Sequence, residues 1–187
     1  MSDPERTLMN LYGTATAADT VRIERLLPAT IERVWEYLTD PGKRRLWLAS
    51  GPMQLSANGD VELIFRNSEL TRDDDPAPAK YAREAGEVRT VGRIVEFEPP
   101  RLLAFTWGGT GDDASQVRFE LSARGERTHL RVTHCRLSTR EAMLSVAGGW
   151  HTHLDILVAR LDGREPDGFW RTHTRLEAEY DKLIPAR

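Results

Sequence analysis

The clearest signal along the chain is a change of hydrophobic period. From Val21 to Leu27 the residues VRIERLL alternate, with Val21, Ile23, Arg25 and Leu27 on one face. This predicts a strand, ended by Pro28. The period then lengthens, and Ile31, Val34, Trp35 and Leu38 fall on one helical face. Thr30 is placed to cap that helix, and Glu32 lies in its first turn, where the helix dipole favours an acid. Asp40-Pro41 starts a second, short helix, because Asp caps and Pro fits the first helical position. It carries Lys43, Arg44 and Arg45 and leads to Leu46-Trp47.

Alternation then returns. Asn58-Gly59 or Gly59-Asp60 marks a hairpin turn before a strand over 61–65. Further strands are predicted at 88–97 and 102–107, framed by Glu98-Pro99-Pro100-Arg101, with a turn from Gly108 to Asp113. Val117, Phe119 and Leu121 share a face, Gly125 turns the chain, and Leu130, Val132 and His134 share a face on the next strand. Residues 67–87 fit neither period. Asp73-Asp74-Asp75-Pro76 and Pro78 break both, so the segment reads as a long, mobile loop with few apolar anchors near one mouth of a cavity. Residues 1–19 read as an extended lead-in with a short edge strand around Leu11-Tyr12.

A helical period closes the pattern. Ser138-Thr139-Arg140-Glu141 has the S-x-x-E form of a capping box. Met143, Ala147, Trp150, Leu154, Leu157 and Leu161 then recur on one face up to a natural stop at Gly163. A last amphipathic helix is predicted from about 168 to 183, burying Phe169, Leu176, Tyr180 and Leu183. A single long helix that follows one antiparallel sheet can bury its stripe only across that sheet. That geometry predicts an α+β fold with a cavity between helix and sheet.

Composition narrows the function classes. The chain has 187 residues, of which 40% are apolar, enough for a core, and a net charge of −3, which gives no global attraction to nucleic acid or anionic membrane. One cysteine excludes an internal disulfide and suits a reducing cytoplasm, the expected location. No apolar run approaches the roughly 20 residues of a membrane span. The opening MSDPERTLMN has no apolar stretch and does not read as a secretory signal.

The order of several segments carries a resemblance. They are Pro28, Val34-Trp35, Leu38-Thr39-Asp40-Pro41 and Leu46-Trp47; then Gly92-x-Ile94-x-Glu96-x2-Pro99-Pro100-x-Leu102-x2-Phe105-x-Trp107; then Leu130-x-Val132-Thr133-His134; and last Gly149-Trp150-x2-His153-Leu154-Asp155-x-Leu157. Together they resemble the activator of heat-shock-protein-90 ATPase homologue family, in its bacterial stand-alone form, over about three-quarters of the chain. The resemblance implies membership of the START-like superfamily and a helix-grip fold: a curved antiparallel sheet wrapped around a long C-terminal helix. It implies one START-like domain, with a core over about 20–163 and a helical extension over 164–187. It implies an apolar cavity and supplies no catalytic set.

The candidate chemistry is sparse. His151 and His153 are two apart on a helix and point about 200° apart, so they cannot chelate one ion. No metal set and no cofactor motif emerges, and no catalytic residue is assigned. His134 would face inward with Leu130 and Val132, either as a polar contact for a ligand or as a strand-end histidine bonded to backbone or water. Cys135 falls on the opposite face with nothing to activate it. Asp73-Asp74-Asp75 reads as a solvated loop, and Lys43-Arg44-Arg45 with Arg101 as a solvated basic surface.

Three functions stay open. The first is non-enzymatic binding of a small apolar or amphipathic molecule, walled by Trp35, Phe105, Trp107, His134, Trp150 and Leu154. The second is an interaction module for a chaperone or other protein, acting through surface charge such as Arg44 and Arg45. The third is a cyclase- or aromatase-like enzyme, for which only His134, Glu96 and Tyr37 offer polar groups.

Overall fold

Seven strands form one antiparallel sheet in the computed structural model, which describes residues 12–186. In chain order the strands are β1 (Thr14–Ala17), β2 (Thr20–Leu27), β3 (Asp60–Phe65), β4 (Val88–Glu98), β5 (Leu102–Trp107), β6 (Ser115–Arg124) and β7 (Arg127–Cys135). Their spatial order is β1-β2-β7-β6-β5-β4-β3. Each strand from β3 to β7 pairs with its sequence neighbour, and β2 closes against β7 with Ile23 opposite Val132 and Leu27 opposite Thr128. Of the edge strand expected around Leu11-Tyr12, Leu11 lies outside the described residues. The edge strand itself runs later, over Thr14–Ala17, where an exposed stretch pairs with β2.

The helices are α1 (Ile31–Thr39), α2 (Pro41–Arg44), α3 (Arg140–Leu161) and α4 (Phe169–Leu183). The sheet is curved and grips α3, so the fold is the α+β helix-grip, START-like fold. The alternation of β6 and β7 explains why. Val117, Phe119, Leu121, Leu130, Val132 and His134 are buried toward α3, while Cys135 sits on the other face. At the centre of β4, Gly92 permits close strand contact, since a Cβ there would stand 1.8 Å from the Thr106 carbonyl oxygen.

The capping box does not form, because the helix starts one residue later and places Ala142 at its third position. Thr139, not Ser138, caps α3, its hydroxyl accepting from the Ala142 amide at 3.0 Å. Thr139 is in extended backbone at the true helix start, and so its oxygen reaches the free first-turn donors. Thr30 holds the cap position of α1 without a side-chain hydrogen bond, whereas Asp40 caps α2 through the Lys43 amide at 2.8 Å.

α3 is buried on more than one face. Met143, Ala147, Trp150, Leu154, Leu157 and Leu161 are buried as the stripe demanded, but so are His151, Thr152, His153, Ile156 and Ala159. The cause is α4, which packs along a further side of α3. There Val21, Leu137, Met143, Ala147, Leu176, Tyr180 and Ile184 make a second apolar cluster. Phe169, Leu176 and Tyr180 are buried as expected, but Leu183 is 55% exposed and Ile184 takes its place. The chain leaves the helix at Ile184, which turns that side chain inward.

Two buried arginines depart from the surface pattern. Arg25 sits on the inward face of β2 and meets Asp155 of α3 at 3.4 Å. Asp155 lies near His151, whose Nδ1 hydrogen-bonds the Tyr180 hydroxyl at 2.9 Å. Arg44 corrects the expected basic surface. It is 1% exposed and donates to the carbonyls of Leu38, Thr39, Ala49 and Gly51. It thereby ties the C-terminal end of α1, rich in free carbonyls, to the segment entering β3. Burial pushes its guanidinium down to about 10, still charged at neutral pH. Arg44→Ala is therefore expected to cost about 2–3 kcal/mol, because it strips charge-assisted bonds from buried carbonyls. Arg45→Ala, at an exposed neighbour, should move stability by less than about 0.5 kcal/mol. Urea melts of the two variants check this, and equal effects would return Arg44 to the surface.

Residues 67–87 also differ from expectation. The segment holds two short 3-10 turns, Asn67–Glu69 and Ala79–Tyr81, and it is anchored. Leu70 is buried in the core, and Tyr81 stacks on Trp170 with ring centroids 5.9 Å apart. Asp74 does not stand in solvent as the acidic run suggested. Its carboxylate accepts from the amides of Trp170 at 2.7 Å and Arg171 at 3.1 Å, and Thr71 accepts from the Phe169 amide at 3.1 Å. The first donors of α4 are thus satisfied from a distant loop. Gly168 makes the approach possible, since a Cβ there would stand 2.4 Å from Asp74 Oδ1.

Candidate functional site

Between the sheet, α3, the first turn of α4 and the 67–87 segment lies a partly open cavity of about 350 Å³. Each wall has its own origin. β3 and β5 contribute Phe65 and Trp107, and β7 contributes His134. α3 contributes Ser145, Val146, Gly149, Trp150 and His153, successive turns of one helical side. α4 contributes Phe169, Trp170 and His173, and the long segment contributes Asn67, Tyr81 and Glu84. Arg89 and Thr90 of β4 complete the rim.

Aromatic rings contact one another across the walls. Trp150 meets Trp107 at 5.6 Å and Phe119 at 5.4 Å between centroids, both edge-on. His153 lies 5.1 Å from Phe169, and His173 lies 5.0 Å from Tyr81. The Trp150 indole donates to His134 Nδ1 at 3.1 Å, so the neutral imidazole carries its proton on Nε2, which faces the Ser115 hydroxyl at 3.0 Å. His134 lines the cavity, and its partners are side chains rather than backbone, one of them on the gripping helix.

Burial sets the charge state of these imidazoles. It pushes His134 and His153 down to about 4, and lowers His173 as well. His153 Nδ1 donates to the Trp47 carbonyl at 2.7 Å, which leaves its Nε2 as an acceptor. His151 bonds Tyr180 on the opposite side of α3, so the two histidines do point apart.

Of the six residues expected to wall a ligand, Trp107, His134 and Trp150 line this cavity. Phe105 and Leu154 lie in the solid core beneath it, 2% and 0% exposed. Trp35 packs against Phe97, at 5.8 Å between centroids, away from the cavity. The register of β5 explains Phe105: it pairs with Ile94 and Val117 in mid-sheet, whereas Trp107 ends the strand beside the opening. Glu96 pairs with Arg118 on the outer face of the sheet, and neither it nor Tyr37 reaches the cavity. The pattern missed Asn67, Tyr81, Glu84, Trp170 and His173. His173 stands four residues after Phe169 and so fits its stripe; the loop residues carried no such signal.

Among solved structures, the protein encoded by gene BPP1335 of Bordetella parapertussis is 41% identical over 100% of this chain and 97% of its own, with a TM-score of 0.78. CalU16 of Micromonospora echinospora is 22% identical over 89% of each chain, with a TM-score of 0.65, and shares the fold. DynU16, a protein of the dynemicin biosynthetic locus, shares it too, at 21% identity over 80% of this chain and 49% of its own, with a TM-score of 0.61. No curated protein matches the chain. No helix of the described residues is long and apolar enough to cross a membrane. Residues 28–162, from the end of β2 to the end of α3, match the family described as activator of Hsp90 ATPase homolog 1-like protein, and the chain belongs to that family.

Proposed function

We propose that the protein binds a small apolar or amphipathic molecule in the cavity between sheet and long helix and performs no covalent chemistry on it. The observation that carries this reading is the cavity itself. Its volume of about 350 Å³ falls in the usual range for small-molecule sites, and six aromatic side chains and three histidines line it. Two facts support binding over catalysis. Both nitrogens of His134 are engaged, and burial pushes His134 and His153 down to about 4, far from the range that suits proton transfer near pH 7. The alternative of a docking module for a chaperone or other protein loses one of its two named charges, since Arg44 is spent inside the fold.

Gly149 offers a direct test. It lies on α3, it lines the cavity, and a Cβ added there meets nothing within 4 Å. Gly149→Leu should fill the cavity from a rigid element while raising helix propensity by about 1 kcal/mol. An environment-sensitive apolar dye is expected to bind the natural protein saturably at one to one. Gly149→Leu should weaken it at least about tenfold, with no loss of stability in urea melts. No saturable binding to the natural protein would overturn the proposal.

A further inference from the structure

The polar groups on the cavity wall divide into two sets. One set is engaged: both nitrogens of His134, the Trp150 and Trp170 indoles, the Tyr81 hydroxyl on Glu177, and His153 Nδ1. The other has no hydrogen-bond partner among the described residues although its atoms are buried. It consists of Asn67 Oδ1, Glu84 Oε2 and His173 Nδ1. All three residues line the cavity, and His173 is 4% exposed. Buried polar atoms are almost always paired in folded proteins, so three orphans gathered round one cavity point to a ligand that pairs them.

Their chemistry restricts that ligand. An amide oxygen and a carboxylate oxygen only accept, and a neutral imidazole nitrogen can do either. The ligand must therefore bring hydrogen-bond donors. Arg89, on the same wall, is already paired with Glu62 and Glu87. Two of the three orphans, the Asn67 amide and the His173 imidazole that burial keeps neutral, carry no charge. Hydroxyl donors therefore suit the set better than an ammonium, whose charge only Glu84 would meet. The remaining walls are flat rings, Tyr81 stacked on Trp170 and Trp107 against Trp150.

We infer that the cavity selects neutral, ring-shaped apolar molecules that carry hydroxyl groups, with Asn67, Glu84 and His173 as the residues that read those hydroxyls. This rests on the binding function proposed above and names its ligand class. It also gives the 67–87 segment a role, since two of the three readers sit there, held by the bonds that Thr71 and Asp74 make to α4.

Isothermal titration with three probes of one ring size tests it: 2,6-dihydroxynaphthalene, 2,6-dimethoxynaphthalene and 2-naphthylmethylamine. The diol is expected to bind at least about tenfold tighter than the diether, since a site built to pair a hydroxyl rejects the analogue lacking it. In Asn67→Leu and Glu84→Met, which keep side-chain size and remove the acceptor, the diol should fall to the affinity of the diether. Unchanged diether binding in those variants reports an intact fold and cavity. Equal affinity for diol and diether in the natural protein, or preference for the amine, overturns the hydroxyl selectivity and leaves the binding function standing. Failure of all three probes together with the apolar dye overturns both.

Discussion

Trp150→Ala is expected to lower the free energy of unfolding by about 3–5 kcal/mol, the range for removing a large aromatic from a core. Trp150 is 4% exposed and stands where the long helix crosses the sheet, in ring contact with Trp107, Phe119 and His134. Truncation removes the apolar contact and also leaves His134 Nδ1 as a buried acceptor without its indole donor. Trp150→Phe separates the two contributions. It keeps most of the ring and loses the donor, so it should cost about 1–3 kcal/mol, the range for a buried polar group left unmatched. Urea denaturation with a constant slope measures both. A loss below about 1 kcal/mol for the alanine variant would mean that the helix is not held to the sheet at this point.

Acidification should destabilise the protein steeply between pH 6.5 and 4. His134 and His153 are pushed down to about 4 and His151 to about 3, all mainly by burial, with Arg25 and Arg175 adding to the effect at His151. Above pH 6.5 these imidazoles are neutral in both folded and unfolded chains and contribute nothing to the pH dependence. Below it the unfolded chain takes up protons that the folded chain refuses, so stability falls as pH falls, until the folded values are reached. Each shift of one unit is worth about 1.4 kcal/mol. Between pH 7 and pH 5 the three together should remove on the order of 3–6 kcal/mol. Asp155 opposes this, because burial raises its carboxyl and the folded state then holds a proton longer. Its opposition lies between its ordinary value and the raised one. Urea midpoints at pH 7, 6 and 5 check the slope. A flat profile over that range would show that the histidines are solvated rather than buried.

The periodicity of the chain was a good guide wherever one element meets one neighbour. The alternation of Val117, Phe119 and Leu121, and of Leu130, Val132 and His134, placed each residue on the face it occupies. Every residue of the Met143-to-Leu161 stripe is buried, Trp150, Leu154, Leu157 and Leu161 in the main core and Met143 and Ala147 in the cluster with α4. Pattern failed where an element has two neighbours. α3 is covered by the sheet on one side and α4 on the other, so His151, Thr152 and His153 are buried although no stripe includes them. It failed again at Arg44, since nothing in Lys43-Arg44-Arg45 distinguishes the arginine that turns inward to four carbonyls from the one left in water.

By itself, then, the sequence determined most of the strands and helices, their order, and the inward face of those that meet a single neighbour. Side-chain period reports burial on a single surface, and order in the chain nearly dictates pairing in an antiparallel sheet. Only the tertiary structure decided the cavity. Its residues are scattered along the chain from Leu48 to His173, and the segment that supplies Asn67, Tyr81 and Glu84 has no period at all. What places that segment is a set of long-range hydrogen bonds, from the first amides of α4 to Thr71 and Asp74, 96 to 98 residues away. Such bonds depend on where two distant pieces of chain come to rest, and local pattern does not encode that.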